Sequence, residues 1–299
     1  MKAAHRAAFL VTKSMSRNSF TARLRRVCFR NYRRLESVFS SRNRVSYGTV
    51  RADGLLFRYN RKDVYIPMLM YGSGDVYSKE DILFFFDMAR KHYGIIPSAS
   101  DIFLDIGANI GTTSIYINKV ICPGIRTIAF EPESDNFRTL EENARLNGCS
   151  NFEAVNLALS DCSSHKTLMI NETNRGGSSL EAGNEGGTTQ TVSTVPLADF
   201  LSSRSIRAES IGFIWLDTEG HEPQVIEGAM EVLKKKRIPL FMEFNPSKYT
   251  ANGKFDQLLG NLSQVYSTFY STDGTTGKIE DLKTLYLQGK VGFNDIFLV

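Results

Sequence analysis

The chain reads as an α/β protein, a mostly parallel sheet with helices on both faces, and three observations carry that reading. From residue 101 onward, short apolar runs alternate with stretches of helical periodicity. The first of these runs ends in a glycine-rich turn, FLDIGANIGTTS, from Phe103 to Ser114. Later runs end in acidic residues, at Glu131 and Asp217, and Glu243 lies on another; ligands of parallel sheets gather at such strand ends.

Composition bounds the answer before any element is placed. With 299 residues, 42% hydrophobic and 23% charged, the chain is large enough to bury a substantial core. No apolar run reaches the roughly 18 residues needed to cross a bilayer. Cys28, Cys122, Cys149 and Cys162 lack metal-ligand spacing and fit free thiols in a reducing compartment.

Residues 1–51 hold 13 Lys or Arg and one acid, so the basic character of the chain lies in a leader and the body is mildly acidic. Nucleic acid is therefore not an expected partner of the body. Residues 1–44 form this leader. Its first twenty residues resemble an organellar transit peptide. Leu24, Val27, Cys28, Tyr32, Leu35 and Phe39 recur at helical spacing among arginines, the pattern of an amphipathic helix for a membrane surface or a partner. A partly disordered tail is the plainer alternative, and the expected location is cytoplasmic, with peripheral membrane contact or import through the leader.

Residues 45–99 come next. The β-like runs Val45–Val50, Leu55–Tyr59 and Val64–Met70 suggest a small antiparallel flap, with a turn at Asp53-Gly54. Ser78 to His92 suits a helix, capped by Ser78 and stopped by Gly94. The third region spans 100–299. Its expected strands are Ile102–Ile106, Thr127–Phe130, Phe152–Leu159, Ile211–Leu216 and Pro239–Phe244. Helices are expected over Thr112–Val120, Ser134–Leu146, Glu222–Lys235 and Phe255–Val265. Residues 171–190 are rich in Gly, Ser, Thr and Asn and read as a mobile loop, flanked by His165–Ile170 and Thr189–Val195 as an added strand pair. Tyr266–Ser271 and Asp295–Val299 close the chain as an antiparallel edge hairpin.

The glycine turn places Gly107 and Gly111 where backbone approaches a ligand closely. A phosphate loop needs Gly-Lys-Ser/Thr here, but Gly111 is followed by Thr112 and Thr113. A dinucleotide site needs glycine where Asn109 stands. Glu131, 24 residues after Gly107, is placed to accept hydrogen bonds from two ribose hydroxyls and to repel a 2′-phosphate, with Phe130 and Pro132 covering a base. Asp105 suits a cationic amino group. In IWLDTEGHEPQVIEGA, Asp217, Glu219, His221 and Glu222 crowd the start of a helix. Helix capping accounts for some of them, yet four titratable groups exceed what capping needs. Glu243 reaches the same edge from the next strand, unless it is simply a buried acid paired with a cation. The spacing matches no recognised metal signature, and no metal is expected.

These segments resemble the FkbM-type S-adenosylmethionine-dependent methyltransferases: FLDIGANIGTTS is similar to that family's first motif, IAFEPESDNFRTLEENARLNG to its second and IWLDTEGHEPQVIEGA to its third. GGSSL with VSTVPLADFL resembles the stretch before the third motif, apart from Ala198-Asp199, where Leu-Asp is commoner. The resemblance covers about residues 100–245 and implies a Rossmann-like seven-stranded methyltransferase sheet with S-adenosyl-L-methionine as cofactor. It implies O-methylation, often of sugars or secreted metabolites. By resemblance, Asp105, Gly107, Asn109 and Gly111 meet the methionine part, Glu131 the ribose and Asp161 the adenine amine. His221 has the pKa range of a general base, and Asp217 is placed to orient or deprotonate a hydroxyl. Glu219 and Glu222 join them as catalytic candidates and Glu243 as a substrate contact, with the acceptor a small molecule or glycan shaped by loops 68–80 and 171–190. Two other readings stay open: an NAD-dependent oxidoreductase, and a binding protein recruited through the leader.

Overall fold

The computed structural model describes residues 47–181 and 188–299. The leader, and the expectations attached to it, lie outside the described residues.

The chain enters as a hairpin, β1 (Tyr47–Ala52) against β2 (Leu55–Asn60), turning at Asp53 and Gly54, both with positive φ. Val64–Met70 does not continue the flap. Tyr65–Ser73 is a helix, α1, which buries Ile66, Pro67 and Met70. Pro67 explains the departure: inside a ladder it forfeits a hydrogen bond, whereas in the first turn of a helix its missing N–H has no partner to lose. The helix α2 (Lys79–Tyr93) follows and stops at Gly94 as expected. Ser78 makes no side-chain cap; instead Asp53 accepts from Val76 N at 2.8 Å and from Lys79 Nζ at 2.5 Å. Phe85 of α2 packs its ring 5.8–5.9 Å from Phe213, Trp215, Phe241 and Phe297, so this helix covers one face of the main sheet.

The strands β3 (Ile102–Ile106), β4 (Arg126–Phe130) and β5 (Phe152–Val155) pair in parallel. Between them run α3 (Thr112–Tyr116), which widens into a π-helical turn at Ile117–Ile121, and α4 (Ser134–Leu146). The expected strand over Phe152–Leu159 is broken. Asn156 donates to the carbonyls of Glu131 and Pro132, and the chain then turns to form β6 (Ala158–Leu159) in a second sheet. There β6 joins β7 (Ser164–Ile170) and β8 (Thr188–Val195), the antiparallel pair expected beside the Gly-rich loop.

Beyond α5 (Leu197–Ser203), the strand β9 (Ile211–Leu216) inserts beside β3. Next come α6 (Glu222–Lys235), β10 (Leu240–Phe244), α7 (Pro246–Ala251) and α8 (Phe255–Leu262). The edge holds β11 (Thr268–Ser271), β12 (Thr276–Lys278), α9 (Leu282–Leu287) and β13 (Asn294–Leu298). The main sheet has the order β12-β11-β13-β10-β9-β3-β4-β5. The seven expected strands are therefore present, with β12 as an eighth. β11 and β13 do pair antiparallel, although β12 and α9 intervene in the chain. α5, α6 and α8 cover the second face, where Phe200, Leu233 and Leu258 enter the core beside Leu104 and Leu216. Cys122, Cys149 and Cys162 are free thiols. Among the described residues, no helix is long and apolar enough to cross a membrane.

Candidate active site

Everything of chemical interest converges at the carboxyl ends of β4, β3, β9 and β10. The glycine loop is held from both sides. Gly107 N and Ala108 N donate to Phe130 O at 3.0 and 2.9 Å, and Asp217 N donates to Ile106 O at 2.9 Å. Gly107 has φ +92°, and an added Cβ would stand 1.8 Å from the carbonyl oxygen of Asp217. Only glycine lets these two strand ends approach. Asn109 also has positive φ, and its N–H donates to Glu131 Oε2 at 2.8 Å. Gly111 lines neither cleft described below; it precedes α3 at φ +88°, with Leu140 Cδ1 2.5 Å from where its Cβ would be.

Two clefts meet here. The first, about 550 Å³ counting the space open to solvent, lies between Glu131, Pro132, Leu157–Leu159 and the 175–180 segment. The second, about 580 Å³, lies between Asp105, Thr112, Trp215 and two tyrosines of the N-terminal region, Tyr65 and Tyr77. Gly107, Asn109, Gly176, Asp217 and Glu219 line both.

Glu131 is buried, with Oε2 on Asn109 N–H and Oε1 accepting from Glu133 N at 2.8 Å. Burial, reinforced by the Glu133 and Asp105 charges, pushes its carboxyl up to about 8 against these donors. Asp105 is likewise buried and accepts from the Ser114 hydroxyl; burial raises it to about 7. Arg175 closes the first cleft, its Nη1 2.7 Å from Glu133 and 3.0 Å from Asp135. Asp161 lines neither cleft. It accepts from Ser160 Oγ at 2.8 Å and sits 3.5 Å from Lys166 Nζ.

The residues of the third motif separate into distinct environments. Glu222 is fully buried and accepts from Thr218 N at 2.7 Å, Thr218 Oγ1 at 2.9 Å and Gly220 N at 3.0 Å, so it folds the turn before α6. His221 is 2% exposed, with Nδ1 2.7 Å from Glu181 Oε1 and Nε2 3.0 Å from Ser160 Oγ, so both ring nitrogens are engaged. Asp217 and Glu219 face the clefts, and Glu219 Oε2 is 2.8 Å from Lys248 Nζ. Glu243 reaches them from β10; it is 5% exposed and its Oε2 has no partner. Oxygens of Asp217, Glu219 and Glu243 all lie within 4.8 Å of one another. Asp295 on β13 stands opposite Glu243 in register. Burial, then the neighbouring acids, holds Asp217 and Glu243 well above the carboxylate range, and burial raises Asp295 to about 7.

Sequence reasoning missed Tyr65, Tyr77, Arg175, Lys248 and Asp295 as site residues. Arg175 had a signal, as the single cation of the 171–190 loop. The others are brought in by folding alone.

An acid-lined cleft opening onto a second acidic cleft suits a positively charged small molecule and a polar partner. Residues 105–267 match the family described as Methyltransferase FkbM domain. No curated protein sequence matches significantly. Among solved structures, an FkbM methyltransferase from Methylobacillus flagellatus KT is similar at 15% identity and TM-score 0.44, over 78% of this chain and 52% of that one. This chain thus spans about half the length of that relative. TYW2 of M. jannaschii in complex with AdoMet is similar at 11% identity and TM-score 0.40, over 86% of both chains. A tRNA (uracil-54, C5)-methyltransferase of Pyrococcus abyssi in complex with S-adenosyl-L-homocysteine is similar at 11% identity and TM-score 0.38, over 85% of this chain and 44% of that one. With more than half of its length matched by the family, the chain belongs to the FkbM methyltransferases.

Proposed function

We propose that the protein transfers a methyl group from S-adenosylmethionine to a hydroxyl of a sugar, a glycoconjugate or a secondary metabolite. The observation that carries this reading is the pair of clefts that share Asp217: one suits the donor, the other an acceptor.

The residues fit the donor. Each Glu131 oxygen already accepts one backbone N–H and retains a lone pair for a ribose hydroxyl. The buried Asn109 Oδ1 has no partner and is available to a donor group such as an ammonium. Gly107 leaves the space a side chain would fill. Asp161, engaged by Ser160 and Lys166, leaves the base end to Phe130, Pro132 and Leu157–Leu159.

When bound, S-adenosylmethionine supplies a methyl group on a cationic sulfur. The remaining work, positioning and proton removal, falls to the protein. Asp217 stands at the junction of the clefts, and its raised pKa makes it a stronger base than an ordinary carboxylate. A cation in the donor cleft favours its ionised form, so donor binding readies the base. His221, locked between Glu181 and Ser160, is a positioning residue that ties α6 to the segment after β6.

Calorimetry tests the donor. We expect heat with S-adenosylmethionine and with its demethylated product, and none with NADH; the opposite pattern overturns the reading. Asp217→Asn is expected to lower turnover by at least about a hundredfold with donor affinity nearly unchanged. His221→Gln is expected to lower the unfolding midpoint while leaving much of kcat. Full activity in Asp217→Asn, or loss confined to kcat in His221→Gln, reverses the two roles.

A further inference from the structure

We infer that Asp217, Glu219 and Glu243 form a binding site for a divalent, oxygen-seeking cation at the junction of the clefts. The three come from a loop and a strand: Asp217 and Glu219 from the loop after β9, Glu243 from β10. No pattern in one segment displays them together, which is why their spacing matches no metal signature.

The geometry is that of a coordination shell. Two oxygens on one ion lie no farther apart than twice the metal–oxygen distance, about 4.2 Å for Mg²⁺ and about 4.6–5.2 Å for Ca²⁺. The three carboxylates each offer an oxygen within 4.8 Å of the others, a spread comparable to that of oxygens sharing one Ca²⁺-sized ion and wider than Mg²⁺ takes. The donor set is carboxylate oxygen alone, with no His or Cys among the three, which selects a hard cation.

A second observation comes from Glu243. It is 5% exposed, its Oε2 is buried without a hydrogen-bond partner, and one of its carboxylate oxygens lies within 4.8 Å of oxygens of the other two acids. Buried carboxylate oxygens are normally paired, and a bare one facing two more acids requires a cation or a proton. Lys248 is ion-paired with Glu219, at 2.8 Å, and its charge reaches Glu243 without a hydrogen bond to the bare oxygen. Asp295 adds a further acid opposite Glu243, and the Tyr77 hydroxyl brings no charge. Glu222 is spent on the turn N–H groups. Among the described residues, one ammonium therefore faces four carboxylates.

Three protein oxygens leave coordination positions for a hydroxyl-bearing acceptor or water on the cleft side. A cation there would orient a polyol acceptor through two adjacent oxygens. That role rests on the methyltransferase reading; the presence of the site does not.

Terbium(III), which takes oxygen sites of Ca²⁺ size, provides the probe, and Trp215 provides the antenna. Trp215 is the only tryptophan of the chain, lines the second cleft beside Asp217 and stacks on Phe241, two residues from Glu243. Excited through tryptophan, the full-length protein is expected to give terbium emission that Ca²⁺ displaces. Glu243→Gln and Glu219→Gln, each verified as folded by circular dichroism, are expected to weaken terbium binding at least about tenfold. Asp256→Asn, at an exposed acid elsewhere, is expected to leave it unchanged. Absence of tryptophan-sensitised emission, or equal affinity in either Gln variant and the parent, overturns the site and leaves protons as the neutralising species. Donor calorimetry run in parallel separates the two conclusions: donor binding without terbium binding sinks only the cation site, and terbium binding without donor binding sinks only the methyltransferase reading.

Discussion

Gly107 shows how much a single residue constrains. Two costs attach to replacing it: a left-handed φ of +92° and a backbone oxygen 1.8 Å from the new Cβ. Gly253 carries the first cost without the second, at φ +73° with nothing within 4 Å. Gly253→Ala should therefore destabilise by about 1 kcal/mol, and Gly107→Ala by on the order of 3 kcal/mol or more, with donor binding lost. Equal shifts in denaturant midpoint for the two variants would mean that the β3–β9 approach is not what requires glycine. The importance of Gly107 was legible in the sequence, because a glycine turn after an apolar run has few other uses. The acceptor of its close approach was not: Asp217 lies more than a hundred residues later. Asn109 and Glu219 also hold left-handed backbone without being glycine, at φ 50° and 55°. Both line the junction of the clefts, where such local strain commonly serves a site.

At the scale of elements, the segment after β7 is the one whose character the structure changed most. Residues 171–181 contain a 3-10 turn at Arg175–Gly177, a bridge between Met169 and Ser179, and the Arg175 pairs to Glu133 and Asp135. Glu133 also caps α4, accepting from Asp135 N and Asn136 N, so one carboxylate ties the segment to the helix start. Removing the guanidinium leaves the buried Glu133 carboxylate without its ion-pair partner. Arg175→Ala is expected to raise the donor dissociation constant at least about tenfold and to speed proteolysis within 171–181. Unchanged cleavage and affinity would show that the segment holds itself in place. Glycine-rich composition predicts a loop, and it does so correctly for part of this stretch. It says nothing of the partner that anchors it, since that partner sits on another element. The same limit explains α1: alternation over Val64–Met70 fitted a strand, and the competing demand of Pro67 was decided by packing on β1.

Across the whole molecule, buried acids dominate the electrostatics. Asp105 and Glu131 titrate near 7 and 8 when folded, against about 4 when unfolded. A carboxyl whose folded value is raised binds its proton more tightly in the native state. Its contribution is full at low pH and is lost as pH rises from about 4 through about 8. The ligand-free protein should accordingly be more stable near pH 5.5 than near pH 8, by on the order of 3 kcal/mol. Urea unfolding at the two values checks this, and a higher midpoint at pH 8 would mean that cations already compensate the acids. Donor binding should narrow the gap, because a cation favours the ionised forms.

Within the chain itself, local pattern determined the alternation of strands and helices, the glycine loop, the acid after β4 and the cluster at Asp217. Each depends on neighbours a few residues away, where spacing and side-chain type act directly. Which cleft each group faces was decided only by the tertiary structure. The sheet order places β9 beside β3 and β10 beside β9, so groups distant in the chain share one edge. That arrangement brings Glu243 to Asp217, sets Tyr77 over the second cleft and encloses His221 between Glu181 and Ser160. Burial and mutual repulsion, which set the chemistry of these groups, are properties of distances that no segment of sequence contains.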